Sequence, residues 1–242
     1  MKRINDRLKE IGIELNEEQL SQLDTYYKML TETNKYMNLT AITEYDDVIT
    51  KHFADSLQLV RCADLSDEVS RETPLSLIDV GTGAGFPGMV LKIAFPHLRV
   101  TLLDSLDKRV KFLDSVISRL GLKDIEAVHY RAEDAAKKEI YRDSFDLAVS
   151  RAVASLPTLT EYCMPFVKPG GYFIAYKSGN IEEELRSAGK AVTALSGKVE
   201  ELLSYSLPET DISRSLVKIK KLAPTDNKYP RRAGKPEKQP IK

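Results

Sequence analysis

Residues 79–88 read Asp79-Val80-Gly81-Thr82-Gly83-Ala84-Gly85-Phe86-Pro87-Gly88. Glycines at alternate positions let a backbone turn sharply and approach a bound molecule closely. A dinucleotide fingerprint spaces its glycines G-x-G-x-x-G and aims a helix N-terminus at a pyrophosphate. Here the spacing is G-x-G-x-G, and an acid, Asp79, stands two residues ahead of the first glycine. A carboxylate at that place repels a diphosphate and suits a cation. S-adenosylmethionine, with a sulfonium, an amino group and no phosphate, meets that requirement. Asp104 follows Gly85 by 19 residues and ends an apolar run. A carboxylate there can accept hydrogen bonds from both ribose hydroxyls of a nucleoside. The plainer use of Asp104 is as an N-cap ahead of Leu106-Asp107-Lys108.

The acid-Gly-x-Gly-x-Gly pattern resembles motif I of the Rossmann-like methyltransferases. Two further segments fall at strand ends, where the ligand crevice of such sheets lies. In Arg131-Ala132-Glu133-Asp134, Ala132 can pack on an adenine and Glu133 can read its amino edge. Ser150-Arg151-Ala152-Val153 occupies the position of the acceptor chemistry. The Asn/Asp-Pro-Pro-aromatic run of amino-methylating enzymes is absent from it. Cys163 lacks the Pro-Cys or Thr-Cys loop context of a cytosine-C5 nucleophile and reads as a core thiol. Arg151 stays protonated, so it anchors a carboxylate or phosphate and does not act as a base. His52, with Asp55 three residues on, is either a hydrogen-bonded structural histidine or a group that holds the acceptor base or closes the cofactor site. Asn38 and Thr40 read as helix-terminal caps.

Several elements must position these residues. Leu20, Leu23, Tyr27 and Leu30 recur at helical spacing behind the cap and acidic turn Asn16-Glu17-Glu18-Gln19. Helices over about 4–12 and 45–62 flank that one, so residues 1–63 form a small helical extension. Residues 64–74 read as a polar link ending in Thr73-Pro74. From Leu75 onward, apolar runs at 75–80, 99–104, 125–129, 145–149 and 171–175 alternate with helices. That alternation predicts a doubly wound, mostly parallel α/β sheet over 74–223. Two last runs, 199–207 and 215–222, have no helix between them and predict a hairpin, hence an antiparallel terminal strand.

Composition bounds the function classes. The 242 residues hold 36 Lys+Arg and 36 Asp+Glu, a net charge of zero, and no apolar run near the ~20 residues that span a bilayer. The start carries no secretory pattern. Two distant cysteines, Cys62 and Cys163, make neither a disulfide framework nor a zinc site, and no metal is expected. These features predict a cytoplasmic protein without a membrane partner, and nothing in them demands a dimer. The zero conceals a division: residues 214–242 hold ten Lys/Arg against Asp226 and Glu237, a net of +8, which leaves −8 for the rest. Lys218, Lys220 and Lys221, then Arg231, Arg232 and Lys235 among prolines in a tail over 224–242, read as a basic strip for RNA phosphates. Tyr229 is placed to stack on an unpaired base.

Taken in order, Asn38-Leu39-Thr40-Ala41-Ile42, His52-Phe53-Ala54-Asp55-Ser56, residues 79–88, Arg131-Ala132-Glu133, Ser150-Arg151-Ala152-Val153 and residues 229–236 resemble the RsmG family (glucose-inhibited division protein B) of bacterial 16S ribosomal RNA guanine-N7 methyltransferases. The likeness covers most of the chain. It implies a class I Rossmann-like methyltransferase fold, S-adenosylmethionine as cofactor, and small-subunit RNA or an assembling particle as substrate. It places cofactor contacts at Gly81, Phe86, Ala132, Glu133 and Arg151, beside Asp79, Gly83, Gly85 and Asp104 from the turn itself. Arg151 and His52 are the candidates nearest the reaction. Two other classes remain: an NAD-linked oxidoreductase on the same sheet, and a non-catalytic RNA-binding assembly factor with a vestigial pocket.

Overall fold

The computed structural model describes residues 2–65, 74–151 and 154–241. Helix α1 (Lys2–Lys9) and the long α2 (Glu17–Met37) come first. At the start of α2, the Asn16 side chain accepts from the Gln19 amide while the Gln19 side chain accepts from the Asn16 amide. That reciprocal pairing satisfies two of the free amides of the first turn. Asn38 ends the helix in the left-handed region (φ 52°), the C-terminal cap its type allows.

The stretch expected as one helix over 45–62 is helical but not uniform. α3 (Tyr45–Val48) widens into a π-turn (Ile49–Ala54), tightens to α4 (Asp55–Leu57) and finishes as a 3₁₀ turn (Gln58–Arg61). Such π-turns are frequent at functional sites, and this one carries His52.

A seven-stranded sheet follows, in the order β3-β2-β1-β4-β5-β7-β6. Its first five strands are β1 (Ser76–Val80), β2 (Arg99–Asp104), β3 (Ile125–His129), β4 (Phe145–Arg151) and β5 (Val167–Ser178). They are mutually parallel. Helices α5 (Gly88–Ala94), α6 (Asp107–Leu120), α7 (Ala132–Ala135) and α8 (Leu156–Cys163) connect them in turn. α9 (Glu182–Ala194) leads to the hairpin β6 (Gly197–Ser206) and β7 (Ser213–Lys221). The last strand in sequence, β7, is antiparallel to both neighbours and lies between β5 and β6. The strand order reverses between β1 and β4, so the ligand crevice of such a sheet opens at their carboxyl ends.

Both faces of the sheet are buried, and the strands alternate between two cores. Leu77, Leu147 and Val149 join one core; Ile78, Val80 and Ala148 join the other. The first core also takes Ile4, Leu8, Leu20, Leu23 and Leu30. The N-terminal helices therefore cover one face of the sheet rather than forming a separate lobe.

The tail lies against the sheet domain and ends in a short helix, α10 (Lys235–Lys238). Tyr229 and Ile241 pack on the second core. Arg142 donates to the carbonyls of Thr225 (2.8 Å) and Tyr229 (3.0 Å). Lys221, read above as part of the basic strip, is wholly buried. Its ammonium donates to Asp143 Oδ1 (3.0 Å), the Met164 carbonyl (2.7 Å) and Thr225 Oγ1. A buried ammonium needs such partners to offset its lost hydration. Removing one partner of a buried ion pair leaves the other uncompensated, so Lys221→Ala is expected to cost about 3 kcal/mol, read as a lowered urea midpoint with an unchanged slope.

Candidate functional site

The glycine turn closes over a buried carboxylate. Asp79, at the end of β1, is 0% exposed. Its Oδ2 accepts from Thr82 Oγ1 (2.7 Å) and from the Gly88 amide (2.8 Å) at the start of α5. Its Oδ1 is buried without a partner. Burial pushes the Asp79 carboxyl up to about 6 against the lowering effect of those two donors and of Arg151. Asp79 thus ties both ends of the turn together and leaves one lone-pair set unspent beneath it.

The glycines have different reasons. Gly83 (φ +63°) has open space where a Cβ would stand. Gly85 (φ +107°) does not: a Cβ there would meet Tyr26 Oη at 2.7 Å and Leu113 Cδ2 at 2.9 Å. Gly85 is small because α2 packs on the turn, and Tyr26 Oη donates to the neighbouring Ala84 carbonyl at 2.5 Å.

Asp104, at the end of β2, spends both oxygens on backbone amides: its Oδ1 accepts from the Leu106 amide (2.9 Å) and its Oδ2 from the Gly83 amide (2.9 Å). The N-cap of α6 is Leu106, without a side-chain cap, so the expected N-cap role of Asp104 is replaced by a turn contact just ahead of the helix. Asp104 also lines a cavity of about 210 Å³ at the carboxyl ends of β1, β2 and β3. Gly81, Ala132 and Glu133 line the same cavity. So do Gly234 and Glu237 of the tail and Tyr162 of α8, which sequence reasoning missed because nothing in their spacing links them to the turn. Tyr162 is pushed up to about 12 by burial first, then by the nearby carboxylates of Glu133, Glu237 and Glu161.

A second cavity, of about 330 Å³, is bounded by Lys51, His52, Asp55, Arg151, Lys177 and Arg214. Arg151, the last residue of β4, organises it. The guanidinium donates to the Lys51 carbonyl (3.2 Å), to Asp55 Oδ2 (3.0 Å) and to His52 Nδ1 (3.0 Å), and lies 5.1 Å from the Phe86 ring centroid. Arginine has no acceptor, so His52 Nδ1 is the acceptor and the ring proton sits on Nε2. Nε2 then donates to Thr40 Oγ1 at 3.0 Å. The His52 ring stacks on Phe86 at 4.3 Å between centroids. Burial, and secondly the charge of Arg151, lower its pKa to about 3. His52 is therefore a neutral, oriented group at neutral pH.

Asp55 completes the cluster by accepting from Tyr205 Oη at 2.8 Å, across 150 residues of sequence. Phe86 itself sits in an aromatic stack with Tyr26 and His52 and lines neither cavity. Ala152 and Val153 lie outside the described residues.

The basic strip divides. Lys218 and Lys220 pair in register with Ile174 and Tyr172, toward the opposite end of the sheet from the cavities. By strand rise they stand ~14–20 Å along β7 from Arg214. Both ammonium groups lie over the Tyr172 ring and within 3.9 Å of Glu200. Arg231 is committed internally. Its Nε and Nη2 make a two-pronged pair with Glu161, which is 1% exposed, and its backbone amide adds a third contact. That corrects the reading of Arg231 as a free phosphate ligand. Arg232 and Lys235 are exposed beside the smaller cavity.

Among the described residues there is no group of three or more side chains able to hold a metal, and no helix long and apolar enough to cross a membrane.

Asp79 sets a pH-dependent test. Its folded pKa is raised, so ionising it costs stability: its contribution is whole below the unfolded value near 4 and is lost as pH rises through about 6. The cost at pH 8 is ~3 kcal/mol, at about 1.4 kcal/mol for each tenfold change in proton affinity. Relative to the parent, Asp79→Asn is expected to be more stable at pH 8 than at pH 4.5, as read from urea midpoints at the two values.

The family model described as rRNA small subunit methyltransferase G matches residues 19–216. A protein of Lachnoclostridium phytofermentans named ribosomal RNA small subunit methyltransferase G is 53% identical over 97% of this chain and 94% of its own. Its namesake from Acetivibrio thermocellus is 51% identical over 95% and 92% of the respective chains. Among solved structures, a SAM-dependent methyltransferase from Aquifex aeolicus superposes with a TM-score of 0.54 at 16% identity, over 75% of this chain and 96% of that one. A point mutant of the 16S rRNA (adenine(1408)-N(1))-methyltransferase from Catenulisporales acidiphilia superposes at 0.54, with 17% identity, over 64% and 88%. The sheet is thus the Rossmann-like fold of class I methyltransferases.

Proposed function

The chain belongs to the rRNA small subunit methyltransferase G family, and on that premise we propose that it transfers the methyl group of S-adenosylmethionine to N7 of a guanine in 16S ribosomal RNA. Family membership decides for methyl transfer over the NAD-linked oxidoreductase and the non-catalytic assembly factor. The observation that carries the finer reading is the pair of cavities at one sheet edge. One is acidic and built on the glycine turn, and the other is rich in cationic groups and built on Arg151.

The chemistry of the residues fits the cofactor. The smaller cavity lies below the ~300–1,000 Å³ usual for a whole ligand, so it takes the nucleoside end. There Asp104 accepts from the ribose, while Ala132 and Glu133 meet the adenine. The unpartnered Oδ1 of Asp79 favours the positive charge of the methionine portion at the turn. When bound, the cofactor supplies an electrophilic methyl group.

Guanine N7 has a free lone pair, so it attacks without losing a proton. No general base is needed, and His52 is not one: it is neutral, with its Nδ1 occupied by Arg151. The residues act by holding the base in line with the methyl carbon and excluding water, a positioning effect. Arg214, with Arg232 and Lys235 on the tail, provides the charge that meets the phosphates around the target, while Lys51 and Lys177 are paired with Asp47 and Glu184. Lys218 and Lys220 contact RNA beyond the target loop. The substrate is the RNA or the small-subunit particle, and the protein works on it as a cytoplasmic monomer.

Methyl transfer from labelled cofactor into small-subunit particles, with the label mapped, tests the reading. Label on a guanine N7 is expected; label on another atom, or none, overturns it. A lysine cannot reproduce the planar fork, and an ångström of misplacement costs about 100-fold, so Arg151→Lys is expected to lower kcat by that order with the fold retained. His52 should contribute no titration to the rate near pH 6.5; a change of rate in that range belongs to Asp79, which titrates near 6, and should disappear in Asp79→Asn.

A further inference from the structure

We infer that the C-terminal tail forms one wall of the cofactor site, so that cofactor affinity depends on the docked tail and is coupled to RNA contact. The inference rests on the proposed methyltransferase reading and adds residues to its cofactor site. Gly234 and Glu237 line the 210 Å³ cavity together with Gly81 and Asp104. The Gly234 amide donates to Glu133 Oε1 at 2.8 Å, the same carboxylate that faces the adenine edge. The tail therefore fixes the orientation of a cofactor-contacting side chain and supplies part of the surface around the nucleoside.

The docking is specific. Arg231 engages Glu161 through its amide (2.8 Å), Nε (2.9 Å) and Nη2 (2.6 Å). Its Nη2 also donates to the Gln239 carbonyl (2.9 Å), closing the segment 231–239 into a loop beside the cavity. Thr158 Oγ1 donates to the carbonyl of buried Pro236 (3.2 Å). Two-pronged arginine–carboxylate pairs carry geometric specificity as well as charge. Between these anchors, Arg232 and Lys235 face outward. One short segment thus meets the cofactor on its inner side and phosphates on its outer side. A ligand on either side stabilises the docked segment, and the coupling is reciprocal.

Calorimetric titration of the full chain with S-adenosylhomocysteine tests this. If Arg231→Ala leaves about a tenth of the molecules docked, the apparent Kd rises about tenfold. Glu237→Ala, an exposed substitution that spares the clasp, should weaken binding at least threefold by altering the wall alone. Lys238→Ala, the same loss of one positive charge as Arg231→Ala but at an exposed side chain that neither pairs with Glu161 nor lines the cavity, should stay within twofold of the parent. The coupling itself should show as tighter S-adenosylhomocysteine binding in the presence of small-subunit RNA, with that gain lost in Arg231→Ala. Should Arg231→Ala fail to fold, Glu237→Ala still decides. Parental affinity in both variants overturns the inference. Failure of the parent protein to bind S-adenosylhomocysteine counts instead against the methyltransferase reading.

Discussion

The Arg151 guanidinium is the point on which the candidate site depends. It lies at the carboxyl end of β4 and spends donors on a backbone carbonyl, a carboxylate and an imidazole nitrogen, all from the stretch 51–55. The π-turn makes this possible by presenting the Lys51 carbonyl, His52 and Asp55 toward one guanidinium. From His52 the constraint passes by stacking to Phe86, then to Tyr26, whose hydroxyl holds the Ala84 carbonyl inside the glycine turn. The two cavities are thus connected through packed side chains, with the N-terminal helices as the connecting layer. A nearly buried cation is costly unless paired, and Asp55, itself held by Tyr205, offsets that cost.

What was legible in the chain follows from locality. The glycine turn, Asp79 and the alternation of strand and helix are short-range patterns, and each has a single structural solution. The cap on α2 is of the same kind. Asp104 was ambiguous because a carboxylate at a strand end suits either a cap or a ligand, and the structure ties it to the Leu106 and Gly83 amides while leaving it in a cavity wall. The π-turn was not legible: residues 45–62 contain no glycine or proline to mark it, and the Arg151 contacts that accompany it come from about 100 residues away. Tyr205 and Glu161 escaped for the same reason, since partners 150 and 70 residues away leave no spacing in the sequence. Gly85 shows a subtler limit. Its place in the motif suggested a ligand, and the structure adds a second reason for a glycine there, the packing of Tyr26 from α2 and Leu113 from α6.

Charge was the least transferable signal. A run of basic residues reads as one surface, yet here it resolves into a buried lysine, an internal clasp, a pair at the far end of the sheet and a few exposed groups at the reaction edge. Part of the acidic excess is spent on the same contacts, Asp143 on Lys221 and Glu161 on Arg231. The exposed Arg232 and Lys235 lie beside the smaller cavity and Arg214 bounds the larger one. A local concentration of cations orients an approaching polyanion, and that orientation matters more to a positioning enzyme than total charge.

The central claim is that Arg151 holds His52 as a neutral, Nε2-protonated ring that orients and does not exchange protons. Nitrogen-15 chemical shifts of the His52 ring, followed from pH 8 to pH 4.5 in uniformly labelled protein, measure this directly. The account predicts an Nε2–H tautomer with Nδ1 as an acceptor, unchanged across the whole range. A ring that protonates near pH 6.5, or that carries its proton on Nδ1, would contradict it.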